Sequence, residues 1–395
     1  MNVLMVSDVY YPRINGVSTS MKTSKVTLEK QGCNVSVIAP EYPAEETDGT
    51  SIFRVKSRYL FIDPEDRLMR YRAALQLEEQ IKALDIDIIH IHTPFIAHYV
   101  GVKLSKRLGI PVIATYHTYF EEYVQFYLKM LPPSITRNFS RTITRKQCNQ
   151  LDGVIVPSNA MKDVLNRYGV RVDKEVIPTG VSHDDLPEGN GDRFREKYNI
   201  TKDKTVLLYV GRVAYEKNIN FLLNVMHIVS RKNDNCLMII AGEGPAKESL
   251  VRRVNDLGLT DSVLFVGYLD RKSELGDCYC ASDIFTFSSK TETQGLVLLE
   301  AQLLGLPLVS LSYMGAKDIL DDNPGALVSP DNPLEFANRV LELVEDKEKR
   351  QVLANASLQY AQKWHDAELS KKLIEFYKHV IESQGEDVVE TISAN

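Results

Sequence analysis

The segment Thr205-Val-Leu-Leu-Tyr-Val-Gly-Arg-Val-Ala-Tyr-Glu-Lys-Asn218 begins with apolar, mostly β-branched or aromatic residues and becomes polar after Gly211. Such a run predicts a buried strand, and the glycine at its end predicts a loop leading to the next helix. The alternation of such runs with helix-length segments predicts an α/β chain of βαβ units with parallel sheets. The other runs are Val3–Val6, Val35–Ala39, Asp87–His92, Val112–Tyr116, Gly153–Val156, Glu175–Pro178, Leu237–Ala241, Val263–Val266 and Ile284–Phe287.

A change in composition divides these units into two groups. The segments Pro178–Val181 and Pro187–Asp192 are polar and contain proline and glycine, so we place a domain boundary near residue 180. The prediction is two doubly wound, Rossmann-like domains facing each other across a cleft, with a C-terminal helix that crosses back to the first domain. The predicted segments are a first domain at 1–180, a second at 181–360, the helix at 361–384 and a frayed, disordered tail at 385–395.

Composition places the chain among soluble globular proteins. Of its 395 residues, 44% are hydrophobic and 25% are charged, which excludes disordered, collagenous and low-complexity classes. Asp and Glu number 53 against 47 Lys and Arg, a net charge of −6, which argues against a general nucleic-acid-binding protein. We therefore expect no nucleic-acid partner, and composition leaves the oligomeric state open.

Cysteine usage and hydropathy point to a cytoplasmic protein. The five cysteines include no Cys-x-x-Cys pair, so neither a disulfide framework nor a zinc site is predicted. The apolar stretch Val3–Val6 lacks the basic start and the length of a signal peptide. The most apolar long window, Gly295–Met314, is interrupted by Glu300 and Gln302 and does not predict a membrane-spanning helix.

Candidate site residues lie in the loops after the predicted strands, where open parallel sheets bind ligands. Gly16 precedes a helix whose free amides are expected to face an anion; alternatively, it only allows the chain to turn. The segment Gly242–Lys247 resembles a GxGxxG fingerprint but has Lys247 in place of the third glycine. Dinucleotide binding, and with it a dehydrogenase, is therefore disfavoured.

Arg212 and Lys217 lie on one loop that leads into a predicted helix. Positive side chains oppose the positive end of a helix dipole, so this arrangement favours an anion between them. A diphosphate suits the spacing. The alternative is a pair of solvated surface cations.

Two carboxylates, Glu292 and Glu300, follow the predicted strand Ile284–Phe287. Glu300 lies in an apolar helical run that carries it inward, where it needs a partner with hydroxyl groups. Glu292 precedes the helix and is expected to reach a hydroxyl-rich group while the first helix amides hold phosphate oxygens. Two glutamates on a solvated helix are the alternative. The amides belong to Gln294, Gly295, Leu296 and Val297.

Three histidines lie on or after predicted strands. His90 and His92 alternate along one strand and face the same side, and no third ligand is evident, so hydrogen bonding is preferred over metal binding. His117 ends the next strand on the side of the cleft. A functional role for His117 is favoured over that of a buried core imidazole.

Taken together, these motifs resemble the family 4 retaining glycosyltransferases of GT-B fold over nearly the whole chain. Gln294 departs from the pattern, since many relatives carry an aromatic residue there. The matching segments are Ile14–Val17, Thr115–Tyr119, Gly211-Arg212 with Glu216–Asn218, Ala241–Pro245 and the pair Glu292-x7-Glu300.

The resemblance implies a nucleotide-sugar donor, which is a co-substrate, and no cofactor. It also assigns each candidate residue a part of that donor. The implied contacts are the diphosphate for Gly16, Arg212 and Lys217, the transferred sugar for Glu292 and His117, the ribose for Glu300, and the nucleobase for Tyr268 and Leu269.

We expect transfer to need no metal, since the two cations stabilise the departing diphosphate and no Asp-x-Asp motif ends a strand. For retention, the resemblance implies attack on the same face of the sugar, with the leaving phosphate taking the acceptor proton. The alternatives are a sugar-nucleotide epimerase or a phosphorylase on the same architecture, and a nucleotide-sugar-binding protein without turnover.

The segment after His117 is basic and aromatic. Helical spacing places Ile135, Phe139 and Ile143 on one side of a helix, nearly opposite its arginines. In one interpretation the apolar side packs into the domain and the arginines are solvated; we favour contact with an anionic membrane face. Residues 123–151 contain no acidic residue, and the basic residues of the proposed surface are Lys129, Arg137, Arg141, Arg145 and Lys146.

Lipid-modifying members of the family, the diacylglycerol glucosyltransferases and phosphatidylinositol mannosyltransferases, resemble this chain in that segment. The resemblance implies transfer of a hexose, from a donor of the UDP-glucose or GDP-mannose type, to a membrane lipid such as diacylglycerol. The protein is then expected to be peripheral at the inner face of the cytoplasmic membrane. A soluble or cell-envelope saccharide acceptor is the alternative.

Overall fold

The computed structural model describes residues 1–43, 49–59, 67–117, 119, 121 and 132–393, with the side chains of all of these except 133 and 385–393. The chain forms two compact units. Unit 1 comprises Met1–Gly180 and Asp366–Asn395, and unit 2 comprises Val181–His365.

Unit 1 is built on a parallel sheet with strand order β3-β2-β1-β6-β7-β8-β9, beside an antiparallel pair, β4 and β5. The strands are β1 (Asn2–Val6), β2 (Asn34–Pro40), β3 (Ile52–Val55), β4 (Ser57–Tyr59), β5 (Arg67–Met69), β6 (Ile88–Ile91), β7 (Val112–Thr115), β8 (Gly153–Val156) and β9 (Lys174–Val176). The helices are α1 (Gly16–Lys30), α2 (Tyr71–Leu75), α3 (Glu78–Lys82), α4 (Ile96–Leu108), α5 (Pro133–Cys148) and α6 (Asn159–Arg167), and the final helix of the chain, Asp366–Ser393, returns to this unit.

Unit 2 is built on a second parallel sheet with strand order β12-β11-β10-β13-β14-β15. The strands are β10 (Thr205–Val210), β11 (Cys236–Ala241), β12 (Val263–Gly267), β13 (Ile284–Phe287), β14 (Leu308–Ser310) and β15 (Ala326–Val328). The helices are α7 (Gly191–Lys197), α8 (Ile219–Lys232), α9 (Lys247–Asp256), α10 (Leu275–Cys280), α11 (Leu296–Leu303), α12 (Ala316–Leu320), α13 (Pro333–Glu345) and α14 (Lys347–Ala361).

Both sheets are doubly wound. In unit 1 the chain moves outward from β1 to β3 and then returns to the other side of β1 with β6; in unit 2 it does the same around β10. The central strands are mostly apolar, and β6, β8 and β13 are buried throughout, as expected where helices cover both faces of a parallel sheet. The order of strands therefore reverses beside β1 and beside β10, and loops at these points are where such sheets bind ligands.

The final helix, α15, spans Asp366–Ser393, which corrects the predicted segment 361–384 at both ends. Val181 N donates to the Trp364 carbonyl at 3.0 Å, so the chain stays with unit 2 up to His365. Residues 385–393 continue the helix where a frayed tail is predicted, since one interior glycine costs only about 1 kcal/mol and no proline follows. Residues 394–395 lie outside the described part.

The returning helix packs into the core of unit 1. Tyr377 is fully buried, and Leu373, Phe376 and Val380 join the same apolar cluster as residues of β1 and β6. Gly153 leaves room for this contact, because a Cβ there would lie 2.8 Å from the Phe376 ring. Among the described helices, none combines the length and the apolar character needed to cross a membrane.

Candidate functional site

Two loops of unit 2 meet at the carboxyl ends of β10 and β13, which are hydrogen-bonded neighbours. The first loop contains a short 3-10 helix, Tyr215–Lys217, and the second leads to Gly295 and α11. Asn218 Nδ2 donates to the Ser288 carbonyl at 3.1 Å, and Ser288 Oγ donates to the Asn218 carbonyl at 3.0 Å. These reciprocal bonds hold the two loops together at the point where the strand order reverses.

The junction brings Lys217 and Glu292 into contact. Lys217 Nζ lies 2.6 Å from Glu292 Oε1, and the two side chains are only 22% and 16% exposed. A pair so shielded from water is screened weakly by salt. The structure therefore does not show Lys217 as a solvated surface cation, which was the alternative to its predicted role.

Arg212 lies on the same loop, and its backbone is fixed by two bonds. Tyr209 OH donates to the Arg212 carbonyl at 3.2 Å, and Ala214 N donates to the same carbonyl at 3.0 Å. Its side chain is half-buried. The diphosphate contacts assigned to Arg212 and Lys217 remain predictions, and the two residues lie on one loop as predicted.

Gly242 serves the close packing of this loop against its neighbour. It takes φ +138°, and a Cβ built on it would lie 2.0 Å from the Gly211 carbonyl oxygen. Val213 N also donates to the Glu243 carbonyl, at 2.8 Å. The lack of a Cβ at Gly242 thus lets the loops after β10 and β11 pack closely, a role that requires no dinucleotide.

Helix α11 begins one residue after the glycine that the sequence singles out. Gly295 occupies the N-cap with φ +95°, and no side chain caps the helix. Leu298 N donates to the Gly295 carbonyl at 2.9 Å, so the amides of Leu296 and Val297 lie ahead of this first bond to the N-cap. Gln294 is buried just ahead of them. Phosphate binding by these amides stays a prediction.

Glu300 is buried in α11, and each of its carboxylate oxygens has a partner within the protein. Arg271 Nη1 lies 2.7 Å from Oε1, and Tyr279 OH donates to Oε2 at 3.0 Å. Burial and the neighbouring Glu300 carboxylate raise the pKa of Tyr279, so its hydroxyl keeps the proton that it donates. Sequence reasoning missed Arg271 and Tyr279, because no local pattern connects them to a glutamate on a later helix.

The loop after β12 carries the two residues predicted to lie near a nucleobase. Tyr268 is 52% exposed, whereas the next residue, Leu269, is buried. An exposed aromatic ring is a suitable surface for stacking a base. Contact with the base stays a prediction for both residues.

In unit 1 the start of α1 differs from the expectation of several free amides. Asn15 Oδ1 accepts from Val17 N and from Ser18 N, each at 3.0 Å, and Asn15 N donates to Ser18 Oγ at 2.9 Å. This capping box satisfies the amides of Val17 and Ser18, two of the free amides predicted to face an anion. The diphosphate contact predicted for the exposed Gly16 is thus limited to its own amide.

Three histidines form a cluster at the carboxyl ends of β6 and β7. His92 Nδ1 lies 3.0 Å from His117 Nε2, and the ring centroids of His90 and His92 are 4.0 Å apart. His90 has the hydrogen-bonding role predicted for it: its Nδ1 lies 2.6 Å from Tyr377 OH and its Nε2 lies 2.7 Å from Thr115 Oγ1. Within the described residues, no group of three or more His, Cys, Asp or Glu side chains is arranged to hold a metal ion.

Burial lowers the pKa of all three imidazoles, because the charged form loses its water. The pKa falls to about 4 for His117 and to about 3 for His90, and for His92 the two neighbouring histidines lower it further. The cluster is therefore neutral near pH 7. His117 offers hydrogen bonds there rather than charge.

These shifts predict that stability falls in acid. Between pH 6.5 and about 4 these histidines bind protons in the unfolded chain but stay neutral in the folded protein. The free energy of unfolding therefore decreases as the pH is lowered through this range. His92→Asn removes one such group. Between pH 7 and pH 5 we expect the free energy of unfolding of this variant to decrease less than that of wild type, by on the order of 1–2 kcal/mol. Urea unfolding at both pH values measures this, and parallel profiles for wild type and variant would contradict it.

Helix α5 buries a stripe of small hydroxyl residues. Thr136, Ser140 and Thr144 are buried, and Ser140 Oγ donates to the Thr136 carbonyl at 2.8 Å. By contrast, Ile135 and Phe139 are 57% and 58% exposed. The interpretation that this apolar side packs into the domain is therefore wrong for these two residues, because the hydroxyl stripe occupies the packing face.

Glu121, which sequence reasoning missed, balances part of the basic side. Arg141 Nε and Nη2 donate to its carboxylate at 3.0 and 3.1 Å, and Arg137 Nε lies 3.4 Å away. Tyr168 OH donates to it as well. Burial opposes ionisation, but the bonds from Arg141 and Tyr168 outweigh it and lower the pKa of Glu121, so one negative charge faces these two arginines.

The other basic residues of the proposed surface differ in what the structure shows. Arg145 and Lys146 lie in the last turn of α5 and are exposed. Lys129 lies outside the described residues.

Two family models match the chain. The model described as Glycosyltransferase Family 4 matches residues 14–185, and the model described as Glycosyl transferases group 1 matches residues 190–360.

Curated relatives cover most of the chain. It is 33% identical over 351 residues to the alpha-monoglucosyldiacylglycerol synthase of Streptococcus pneumoniae, covering 87% of this chain and 78% of that protein. It is 27% identical over 322 residues to the protein of the same name from Acholeplasma laidlawii, covering 78% of this chain and 80% of that protein.

Solved structures match in fold at lower identity. Sucrose-phosphate synthase from Thermosynechococcus elongatus gives a TM-score of 0.79 at 18% identity, covering 97% of this chain and 99% of that one. Anabaena HepE in complex with UDP gives a TM-score of 0.74 at 17% identity, covering 96% of this chain and 100% of that one.

Proposed function

This chain belongs to glycosyltransferase family 4 and is a hexosyltransferase, and we propose that it moves a hexose from a nucleotide sugar to a membrane lipid such as diacylglycerol. The donor is of the UDP-glucose or GDP-mannose type. Two relatives named as alpha-monoglucosyldiacylglycerol synthases support the lipid acceptor.

The observation that carries the lipid acceptor is the apolar exposure on α5. Ile135 and Phe139 are more than half exposed, on a helix that packs through its hydroxyl residues instead. An amphipathic helix with an exposed apolar side and flanking basic residues is suited to lie in the interface of a membrane. The lipid acceptor resides in that interface, so a protein bound there meets its substrate.

Charge on the same helix supports an anionic surface. Glu121 neutralises one of the charges on Arg137 and Arg141, while Arg145 and Lys146 are exposed. Each basic residue near an anionic leaflet contributes on the order of 1 kcal/mol. We therefore place the protein at the inner face of the cytoplasmic membrane, as a peripheral protein.

On the donor side, the proposed mechanism uses charges already in place. Arg212 and Lys217 stabilise the negative charge that develops on the departing diphosphate. Glu292 holds hydroxyls of the transferred sugar, and His117 lines the reacting sugar as a neutral imidazole. The acceptor attacks on the face from which the diphosphate leaves, the leaving phosphate takes the acceptor proton, and the configuration is retained without a covalent intermediate or a metal.

Vesicle flotation tests the membrane step. Wild type is expected to float with vesicles of phosphatidylcholine and phosphatidylglycerol at low salt and to be released at high salt. Ile135→Ser/Phe139→Ser should weaken binding roughly tenfold or more through lost apolar burial. Arg145→Glu/Lys146→Glu should weaken it at least tenfold through charge, without touching the partners of Glu121.

The matched control is Lys103→Glu/Lys106→Glu, which makes the same change of charge on exposed residues of α4. It should bind vesicles nearly as well as wild type. Equal partitioning of wild type and both α5 variants would show that α5 is not the membrane-binding surface. Absence of vesicle binding altogether would favour a soluble or cell-envelope saccharide acceptor.

A further inference from the structure

The segment between β12 and α10 holds Arg271 at a fixed position beside Glu300. Asp270 Oδ1 accepts from Lys272 N at 3.1 Å and from Ser273 N at 3.0 Å, and Glu274 N donates to the Asp270 carbonyl at 2.9 Å. These bonds close a tight turn around Arg271. The guanidinium is thus presented from a rigid turn.

The contact between Arg271 and Glu300 is buried but incomplete. Their side chains are 15% and 3% exposed, so both charges have lost most of their water, and Nη1 of Arg271 is paired with Oε1 of Glu300. Nε of Arg271 is buried. Every residue of unit 2 is described, and none of them provides a hydrogen-bond acceptor for this nitrogen. A buried N–H of a charged group without a partner is costly, so the site lacks one acceptor.

The chemistry of the pair fits a diol. A guanidinium only donates hydrogen bonds and a carboxylate only accepts them, whereas a hydroxyl does both. Because the guanidinium is planar and rigid, its Nε–H points along a different edge from Nη1 and is not used by the bond to Glu300. Glu300 also keeps lone pairs beyond those used by Arg271 and Tyr279.

We propose that Arg271 is a ribose-binding residue, whose Nε–H donates to one hydroxyl of the donor's ribose while Glu300 accepts from the diol. The assignment rests on the proposed function, which places the ribose at Glu300. It adds a second, cationic contact to that subsite and gives the unpartnered N–H its acceptor.

Nucleotide binding without any lipid tests this assignment. Isothermal titration compares UDP with 2′-deoxy-UDP and 3′-deoxy-UDP, and GDP with its 2′- and 3′-deoxy forms. In wild type, loss of the contacted hydroxyl should weaken binding about tenfold or more. Arg271→Lys keeps the charge opposite Glu300, and its binding of the ribonucleotide should weaken about tenfold. In this variant the nucleotide that lacks the contacted hydroxyl should bind no more than about threefold more weakly than the ribonucleotide.

Arg193→Lys is the matched control, since Arg193 pairs with the buried carboxylate of Asp277 in the same unit. It should keep the wild-type penalties. If Arg271→Lys loses as much affinity as wild type when the hydroxyl is removed, Arg271 is only a structural partner of Glu300. If wild type binds ribo- and deoxynucleotides equally, the ribose assignment itself is wrong.

The two proposals fail in different ways. Binding of neither UDP nor GDP would overturn the proposed donor and the Arg271 assignment together. Hydroxyl-dependent binding without transfer to lipid would overturn the proposed acceptor and leave Arg271 as assigned.

Discussion

Replacing Lys217 or Arg212 with alanine is expected to lower the turnover number about a hundredfold or more. Each side chain is proposed to stabilise the diphosphate as it departs, and loss of one preorganised donor of this kind costs about that much. Lys217 is held 2.6 Å from Glu292, so its charge is already positioned before the donor binds. Nucleotide release at saturating donor and acceptor measures the effect.

The control for this prediction is Lys349→Ala. Lys349 also forms an ion pair, with Glu342, between helices of the same unit, and its loss should leave turnover near the wild-type value. Near-normal turnover in Lys217→Ala or Arg212→Ala, with the variant shown to be folded, would make the diphosphate assignment wrong.

The two glutamates are expected to separate kinetically. Glu292→Gln should lower the turnover number roughly tenfold to a hundredfold, because its contact with the reacting sugar changes during transfer. Glu300→Gln should raise the KM for the donor by a similar factor, because a ribose contact is the same before and during the reaction. Steady-state kinetics with the donor varied distinguish these results, and equal effects on both constants in both variants would contradict the roles.

The ion pair adds a check on Glu292. Residues in direct contact are not expected to have additive effects, so Lys217→Ala/Glu292→Gln should lose less activity than the product of the two single losses. An additive result would indicate that the pair separates before transfer. Thermal unfolding of each variant shows whether a buried charge left unpaired has destabilised the fold.

Much of the fold follows from the sequence because long apolar strands carry a clear pattern. The runs Thr205–Val210 and Ile284–Phe287 coincide with β10 and β13, and the predicted GT-B fold and family are confirmed by the family models and the structural neighbours. The strands Leu308–Ser310 and Ala326–Val328 were not predicted. A strand of three residues is too short to show a hydrophobic periodicity. These two strands are recognised only by their hydrogen-bonded pairing, β14 with β13 and β15 with β14.

The candidate site was predictable where it depends on loops after strands. Lys217 and Glu292 come from different loops, and the adjacency of β10 and β13 brings them together, as the general rule for parallel sheets leads one to expect. The pairing of Arg271 with Glu300 depends on how a turn and two helices pack. No spacing in the sequence encodes such a contact.

Helix α5 shows a different limit of sequence reasoning. Apolar periodicity alone is also compatible with Ile135 and Phe139 on the packing side, the alternative to the favoured membrane contact, whereas Thr136 and Ser140 are the buried residues. Small hydroxyl side chains bond to their own helix backbone and allow close packing, so hydrophobicity alone does not identify the buried face. The same observation leaves an apolar surface for the proposed membrane contact.

The most direct test of the proposed function is formation of a glycolipid. The protein is incubated with vesicles containing diacylglycerol and with UDP- or GDP-hexoses labelled in the sugar, and products are analysed with and without acceptor. We predict a labelled hexosyl-diacylglycerol with the anomeric configuration of the donor, formed only with the acceptor and together with released nucleotide. Donor bound or epimerised without release of nucleotide, or label found only in soluble saccharides, would contradict the account.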